Sequence, residues 1–271
     1  MKKTLLFSLL TSFISLGSLA QQYDNTAPAG LESSAKRPHH IDIKKLHFGA
    51  YVAPTVTWMQ PNSSKSEDQK YHVDGNGSKM GYLWGLMADY YFTENYGIAT
   101  GFNLNRGGGE IITSLIHDPG PIANTVKYAN FNYNLQYLDL PFALKLRSDE
   151  FKSGFSVFAQ IGLTLKINIS KKSRYIVNYY DENATYQSAT GDNEILRGAL
   201  SINPILLEMN VGTGIEYPIT DKLSFYTGIF FNNGFLPDVT NPENYSLGYT
   251  GSFKDANTRL NNFAIRVGIF F

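Results

Sequence analysis

Seven charged residues recur where a chain with a two-residue repeat would turn them all to one side. Asp89, Asp139, Glu208 and Glu216 are the acids, and Lys145, Lys166 and Arg266 are the bases, with His47 in the same phase. Paired carboxylates can perform general acid–base chemistry. Opposed acids and bases can instead neutralise one another in a water-poor interior, where an unpaired charge is costly. The histidines decide between these. His39 and His40 are adjacent, so on an extended chain they point apart. His72 and His117 fall in polar connections and in no motif, and His47 lies near the start of the first patterned segment. No nucleophile–base arrangement emerges. Gly107-Gly108-Gly109 lacks the lysine and the strand–helix context of a phosphate loop and reads as the opening of a connection. We therefore expect no catalytic, cofactor-binding or metal residue, and a structural polar network in which Lys166 pairs with Glu208 while Asp139 and Arg266 lie deeper.

The elements that position these charges alternate with period two. Leu46, Phe48, Ala50, Val52, Pro54, Val56 and Trp58 mark the apolar face of a first strand. Met80 to Phe92 and Tyr96 to Leu104 mark the next two, joined by Thr93-Glu94-Asn95. The fourth has Leu138, Leu140, Phe142, Leu144 and Leu146 against Tyr137, Asp139, Pro141, Ala143 and Lys145. A helix would be broken by Pro141, whereas a strand puts both charges on one face. Four more follow over 155–167, 207–217, 223–232 and 263–271. The connections between 61–77, 107–133, 170–204 and 233–258 read as long and polar, and those between them as short turns.

Phe263, Ile265, Val267, Ile269 and Phe271 alternate with Ala264, Arg266, Gly268 and Phe270 to the last residue. In water this would be an aggregation-prone edge. It resembles the C-terminal barrel-assembly signal strand of bacterial outer-membrane proteins, in which the last strand closes on the first and its outer face meets lipid. Met1-Lys2-Lys3, the apolar run Leu5 to Leu16 and Ser18-Leu19-Ala20 read as a signal peptide over 1–20. The sequence contains no cysteine, which rules out thiolate metal sites, disulfides and thiol catalysis. Without Lys2 and Lys3, 21 basic residues face 23 acidic ones, a balance that excludes the basic excess of a nucleic-acid binder. Residues 21–44 show no periodicity and read as a flexible tail.

The expected fold is all-β: an eight-stranded antiparallel up-and-down transmembrane barrel over residues 45–271, with short periplasmic turns, long extracellular loops and both termini periplasmic. Trp58, Tyr82 and Trp84 then fall near the outer rim, and Tyr90, Phe92, Tyr96 and Tyr217 near the inner one, as two aromatic girdles. A soluble sandwich or lipocalin-like barrel also alternates, but its polar face would need more long charged side chains than the Gly, Ala, Ser and Asn present here. Eight strands leave room for little beyond side chains.

Tyr137-Leu138-Asp139-Leu140-Pro141-Phe142-Ala143-Leu144-Lys145-Leu146 resembles the Tyr-Leu-acid-apolar-Pro-x-x-Leu-Lys segment of the Bacteroidota outer-membrane barrel family, the PorT-like or porin-family barrels. Asp89-Tyr90-Tyr91-Phe92 and Gly97-Ile98-Ala99-Thr100-Gly101-Phe102 resemble that family's second hairpin. The resemblance implies a non-enzymatic barrel in the outer membrane, an accessory in secretion or envelope assembly. Its partners would be outer-membrane lipid, the barrel-assembly machinery and secretion or envelope proteins. A surface-adhesion or structural barrel, a small-solute porin and a lipid-modifying enzyme are the alternatives.

Overall fold

The computed structural model describes residues 46–66, 69–152, 154–195, 201–220, 223–240 and 257–271. The expected signal peptide and tail, with His39 and His40, lie outside the described residues. Eight antiparallel strands make a closed ring: β1 (Leu46–Pro61), β3 (Lys79–Tyr91), β4 (Tyr96–Leu115), β5 (Thr125–Arg147), β6 (Ser156–Tyr180), β9 (Ile205–Thr220), β10 (Leu223–Gly234) and β12 (Thr258–Phe270), each bonded to the next. Closure is made by β12 on β1, from Gly49 opposite Phe270 to Pro61 opposite Thr258. The Phe271 amide adds a bond to the Phe48 carbonyl at 2.8 Å. The C-terminal edge is therefore paired, and its lipid-facing row Phe263, Ile265, Val267, Ile269 and Phe271 stays exposed.

One end of the ring carries tight turns. The Phe92 amide bonds the Tyr96 carbonyl at 3.0 Å, and the Thr93 hydroxyl oxygen accepts the Tyr96 amide. The turn after β5 closes through the Ser148 amide on the Val157 carbonyl, with Gly154 in the left-handed region at φ 78°. At the other end two of the expected long polar connections prove to be largely ordered strand, while most of 233–258 lies outside the described residues. Residues 107–133 are not a loop: β4 runs on to Leu115 and β5 starts at Thr125. Gly107-Gly108-Gly109 lies inside β4, because neighbours occupy the space of a side chain there. A Cβ on Gly108 would sit 1.9 Å from the Tyr133 carbonyl oxygen, and one on Gly109 2.7 Å from Met59. Likewise 170–204 is not one connection, since β6 reaches Tyr180 and turns into β7 (Tyr186–Ile195). Within 61–77, β2 (Tyr71–Gly75) pairs with β4. Two short pieces, β8 (Ser201–Ile202) and β11 (Val239–Thr240), pair with each other, and β11 with β12.

Beyond the ring these extensions form a five-stranded platform in the order β2-β4-β5-β6-β7. Its inner face packs into an apolar core that includes Val73, Ile111, Phe131, Tyr133, Leu135, Tyr175 and Val177 and is shared with Met59 of β1, Leu206 of β9 and Leu260 of β12. Strand β5 shows how one continuous alternation serves both parts. From Leu138 to Leu146 its outward residues are apolar, and its inward ones are Asp139, Pro141, Ala143 and Lys145. From Gln136 back to Asn130 the outward residues are Gln136, Asn134, Asn132 and Asn130, and the inward ones are Tyr137, Leu135, Tyr133 and Phe131. The strand keeps its phase while its polarity inverts. Below the inversion the outside must meet lipid, and above it water. The same level separates Leu104 from Arg106 on β4 and Trp58 from Gln60 on β1.

Candidate functional site

Inside the ring, the seven charged residues fall into two groups and one isolated member. Nearest the tight turns, Lys145 on β5 reaches across the lumen to Asp89 on β3 and Glu216 on β9, forming an ion pair with each. Each partner lies two strands away, on opposite sides of β5. Arg147 adds a weaker contact to Glu216 at 3.5 Å. The His47 ring lies 5.4 Å from the Tyr91 ring, beside this cluster.

Nearer the polarity inversion, Lys166 Nζ donates to Glu208 Oε1 at 2.6 Å. Lys166 lies directly opposite Asp139, whose Oδ2 accepts from Asn105 Nδ2 at 2.8 Å. Sequence reasoning missed a third carboxylate here, Asp238. It is buried, accepts the Tyr137 hydroxyl at 2.9 Å and the Leu260 amide at 3.0 Å, and interacts electrostatically with Lys166. Asp238 follows β10 in a stretch without periodicity, so no strand pattern pointed to it. Lys166 thus answers three acids.

Arg266 stands apart. Its guanidinium lies 3.9 Å from the Phe230 ring centroid and 4.9 Å from that of Tyr51, and among the described residues no carboxylate comes within salt-bridge distance. Aromatic faces hold it, and it acts on Asp139 through space.

The rest of the lumen is filled. Phe158, Tyr226, Phe230 and Phe270 pack ring on ring, with Phe158 and Tyr226 stacked at 5.1 Å and Tyr226 edge-on to Phe270 at 5.5 Å. Lys145 Nζ sits 4.6 Å from the Phe158 centroid and 4.9 Å from that of Phe270. Glycines make this filling possible: a Cβ on Gly212 would lie 2.2 Å from the Phe230 ring. Above the rings, amides link four strands from Gln160 to Asn210, Asn232 and Asn262. A small cavity remains beside Tyr51, Asp89, Asn103, Lys145, Gln160 and Arg266. Chemically, this lumen holds charges in place through paired partners. Among the described residues no three His, Asp or Glu side chains converge as a metal centre requires.

On the outer wall, Tyr82 and Trp84 are exposed towards the platform end, and Phe92, Tyr96 and Tyr217 towards the turns. Trp58 is half-buried, stacked on Phe231 at 6.2 Å, and Tyr90 is half-buried. The platform's tips are tied locally. Backbone amides of Thr185 and Asn183 and the Gln187 side chain hold the Asp181 carboxyl below its usual range. Asp118 pairs with Lys127, and that hydrogen bond lowers the carboxyl and raises the ammonium.

Residues 20–200 match the family of the outer membrane protein beta-barrel domain. The chain belongs to that family. As an outer-membrane β-barrel it is an integral protein of the outer membrane, its apolar outer wall in lipid. Solved structures similar to it include Neisserial surface protein A, at 13% identity over 83% of this chain and 97% of that one, with a TM-score of 0.36. Ail, the attachment invasion locus protein of Yersinia pestis, is 9% identical over 83% of this chain and 98% of its own, with a TM-score of 0.35. OprG from Pseudomonas aeruginosa is 11% identical over 83% and 94%, with a TM-score of 0.37. No curated protein matches the chain.

Proposed function

We propose that this barrel is a non-enzymatic, non-conducting anchor whose working surface is the five-stranded platform, held outside the cell to contact a macromolecule. The observation that carries this reading is the apolar core packed beneath the platform's inner face. A loop that only joins strands needs none, and burying Phe131, Tyr133, Tyr175 and Val177 fixes one exposed shape. The filled lumen beneath it supports an anchor over a solute pore. In this orientation the tight turns and Leu46 and Phe271 face the periplasm.

A secretion or envelope-assembly accessory, as in the PorT-like resemblance, is the second reading, favoured by the segment Tyr137–Leu146. Its distinctive residues are engaged in building the barrel: Tyr137 with Asp238, Asp139 with Asn105, Lys145 with Asp89 and Glu216. The segment therefore supports the barrel more than the branch.

A photo-crosslinking residue at Ile176, on the platform's outward row, tests the choice in intact cells against one at Ile219 beside a tight turn. Discrete adducts from Ile176 alone are the expected result. Adducts from Ile219 alone would move the working surface to the periplasmic face and favour the accessory. Steady conductance of the purified barrel in planar bilayers would overturn the filled-lumen argument.

A further inference from the structure

The level at which the outer wall changes from apolar to polar is not evenly charged. Lys79, at the start of β3, reaches past β4 to β5, where Nζ donates to Asn132 Oδ1 at 2.7 Å, Asn134 Oδ1 at 2.6 Å and the Tyr133 carbonyl at 3.1 Å. Its ammonium is thereby fixed against the wall instead of sweeping through solvent. Arg106 and Arg174 act on it through space, as does the acid Glu110. Lys172 stands opposite Asn134 on β6, in the same outward row.

The charges in this patch are unequal. Arg174 is neutralised by Asp192 at 2.8 Å, and Glu110 is engaged by Asn130. Lys79, Arg106 and Lys172 have no carboxylate partner among the described residues. Arg106 and Lys172 flank β5 from the strands on either side, opposite Gln136 and Asn134, so two strand spacings across and two residues along put their backbones about 12 Å apart. Directly below them the wall is apolar, with Phe102, Leu104, Leu138 and Leu165. Acyl chains must cover that wall, so the headgroups attached to those chains arrive at the level of the cations. Side-chain amides of Asn132, Asn134 and Gln136 line the gap between them.

We propose that this patch is a binding site for a phosphorylated glycolipid of the outer leaflet, with Arg106 and Lys172 taking its phosphates and Lys79 supplying fixed positive charge between them. The assignment to the outer leaflet rests on the orientation given above; the chemistry of the patch does not. A cation beside a headgroup phosphate at the membrane surface is favourable, and several together select anionic lipid. The arginine suits a phosphate because its planar fork donates twice.

The test uses the full-length barrel in detergent, with native mass spectrometry counting retained lipid. The probe is a diphosphoryl disaccharide lipid, compared with its dephosphorylated form, phosphatidylglycerol and inorganic phosphate. Wild type should retain the diphosphoryl lipid about tenfold more than the dephosphorylated one, and the double variant Arg106→Gln, Lys172→Gln should lose that preference. Lys152→Gln, at the opposite end, should keep it. Heat-modifiable gel mobility of each variant establishes that it is folded. Equal retention of both lipids, or an unchanged preference in the double variant, would overturn the site. Competition by phosphatidylglycerol at equal concentration would reduce it to general charge attraction, and displacement by inorganic phosphate at lipid concentration to a free-anion site; either refutes the proposal. None of these outcomes touches the platform, whose failure would show as crosslinking from Ile219.

Discussion

Removing the Lys166 ammonium while preserving its bulk should be among the most damaging single changes in the lumen. The side chain is fully buried at 0% exposure, and it is the cation shared by Glu208, Asp139 and Asp238. Lys166→Met leaves three buried carboxylates without it, a loss expected to cost about 3–5 kcal/mol. Glu208→Gln is milder, because Lys166 retains Asp139 and Asp238; one charge-assisted hydrogen bond is lost, about 1.5–3 kcal/mol. The double variant should be less damaged than the two costs added, by about 1–3 kcal/mol, since the neutral amide replacing the Glu208 carboxylate leaves one fewer stranded charge. It should still fall short of wild type, because Asp139 and Asp238 remain. Adding Asp139→Asn should recover more. Urea unfolding in phosphatidylcholine vesicles, followed by fluorescence of the sequence's two tryptophans, Trp58 and Trp84, measures all four variants against wild type. Equal costs for the two single changes, with the double variant at wild-type stability, would mean that Lys166 and Glu208 form an isolated pair and that the three-acid account is wrong.

Three further outcomes are expected. Phe142, 62% exposed and central to the lipid-facing row of β5, should cost about 2–4 kcal/mol when changed to Arg, whereas Asn130→Arg, outward on the same strand but above the polarity inversion, should change stability by less than about 0.5 kcal/mol; equal effects in the same unfolding assay would misplace the inversion. Reporter cysteines at Ser64 and Ser188 should label from outside intact cells and one at Thr220 should not; the reverse pattern would invert the orientation. Asp181 has a folded pKa below its ordinary value of 3.8, so its contribution to the turn after β6 is complete above that value and fades as pH falls through the lowered one. Thr185 amide exchange, corrected for intrinsic pH dependence, should lose protection only on that acid side and should be pH-insensitive there in Asp181→Asn.

The barrel strands were legible because lipid enforces a strict code: a row such as Leu138 to Leu146 must be apolar at every second residue, with no water to forgive an exception. The platform strands were harder to read for the converse reason. Above the inversion, Asn130, Asn132, Asn134 and Gln136 occupy the phase that carried leucines below, so a search for one continuing apolar row ends at Leu138. The apolar residues had moved to the other phase, at Phe131, Tyr133 and Leu135, and three consecutive glycines in β4 reinforced the impression of a loop. Those glycines answer to Met59, Thr57 and the Tyr133 carbonyl, neighbours distant in sequence. Asp238 was invisible for the same kind of reason, since only the folded ring brings it to Tyr137, 101 positions away.

The inversion on β5 also links the membrane ring to the proposed working surface. Because the strand keeps its phase, inward residues pass from the polar lumen filling into the platform core without a break: Lys145, Asp139, Tyr137, Leu135, Tyr133. The Tyr137 hydroxyl bonds Asp238 while its ring lies 4.2 Å from Lys166, so one residue belongs to both the buried charge cluster and the apolar core above it. A hinge between membrane ring and platform would need a level where neither core is packed, and on this strand there is none. Ring and platform are thus packed as one body along β5, with Lys79 and Arg106 at the foot of the platform, where the proposed glycolipid would bind. A surface that must present one shape to a partner gains from that rigidity, because little conformational freedom remains to be lost on contact.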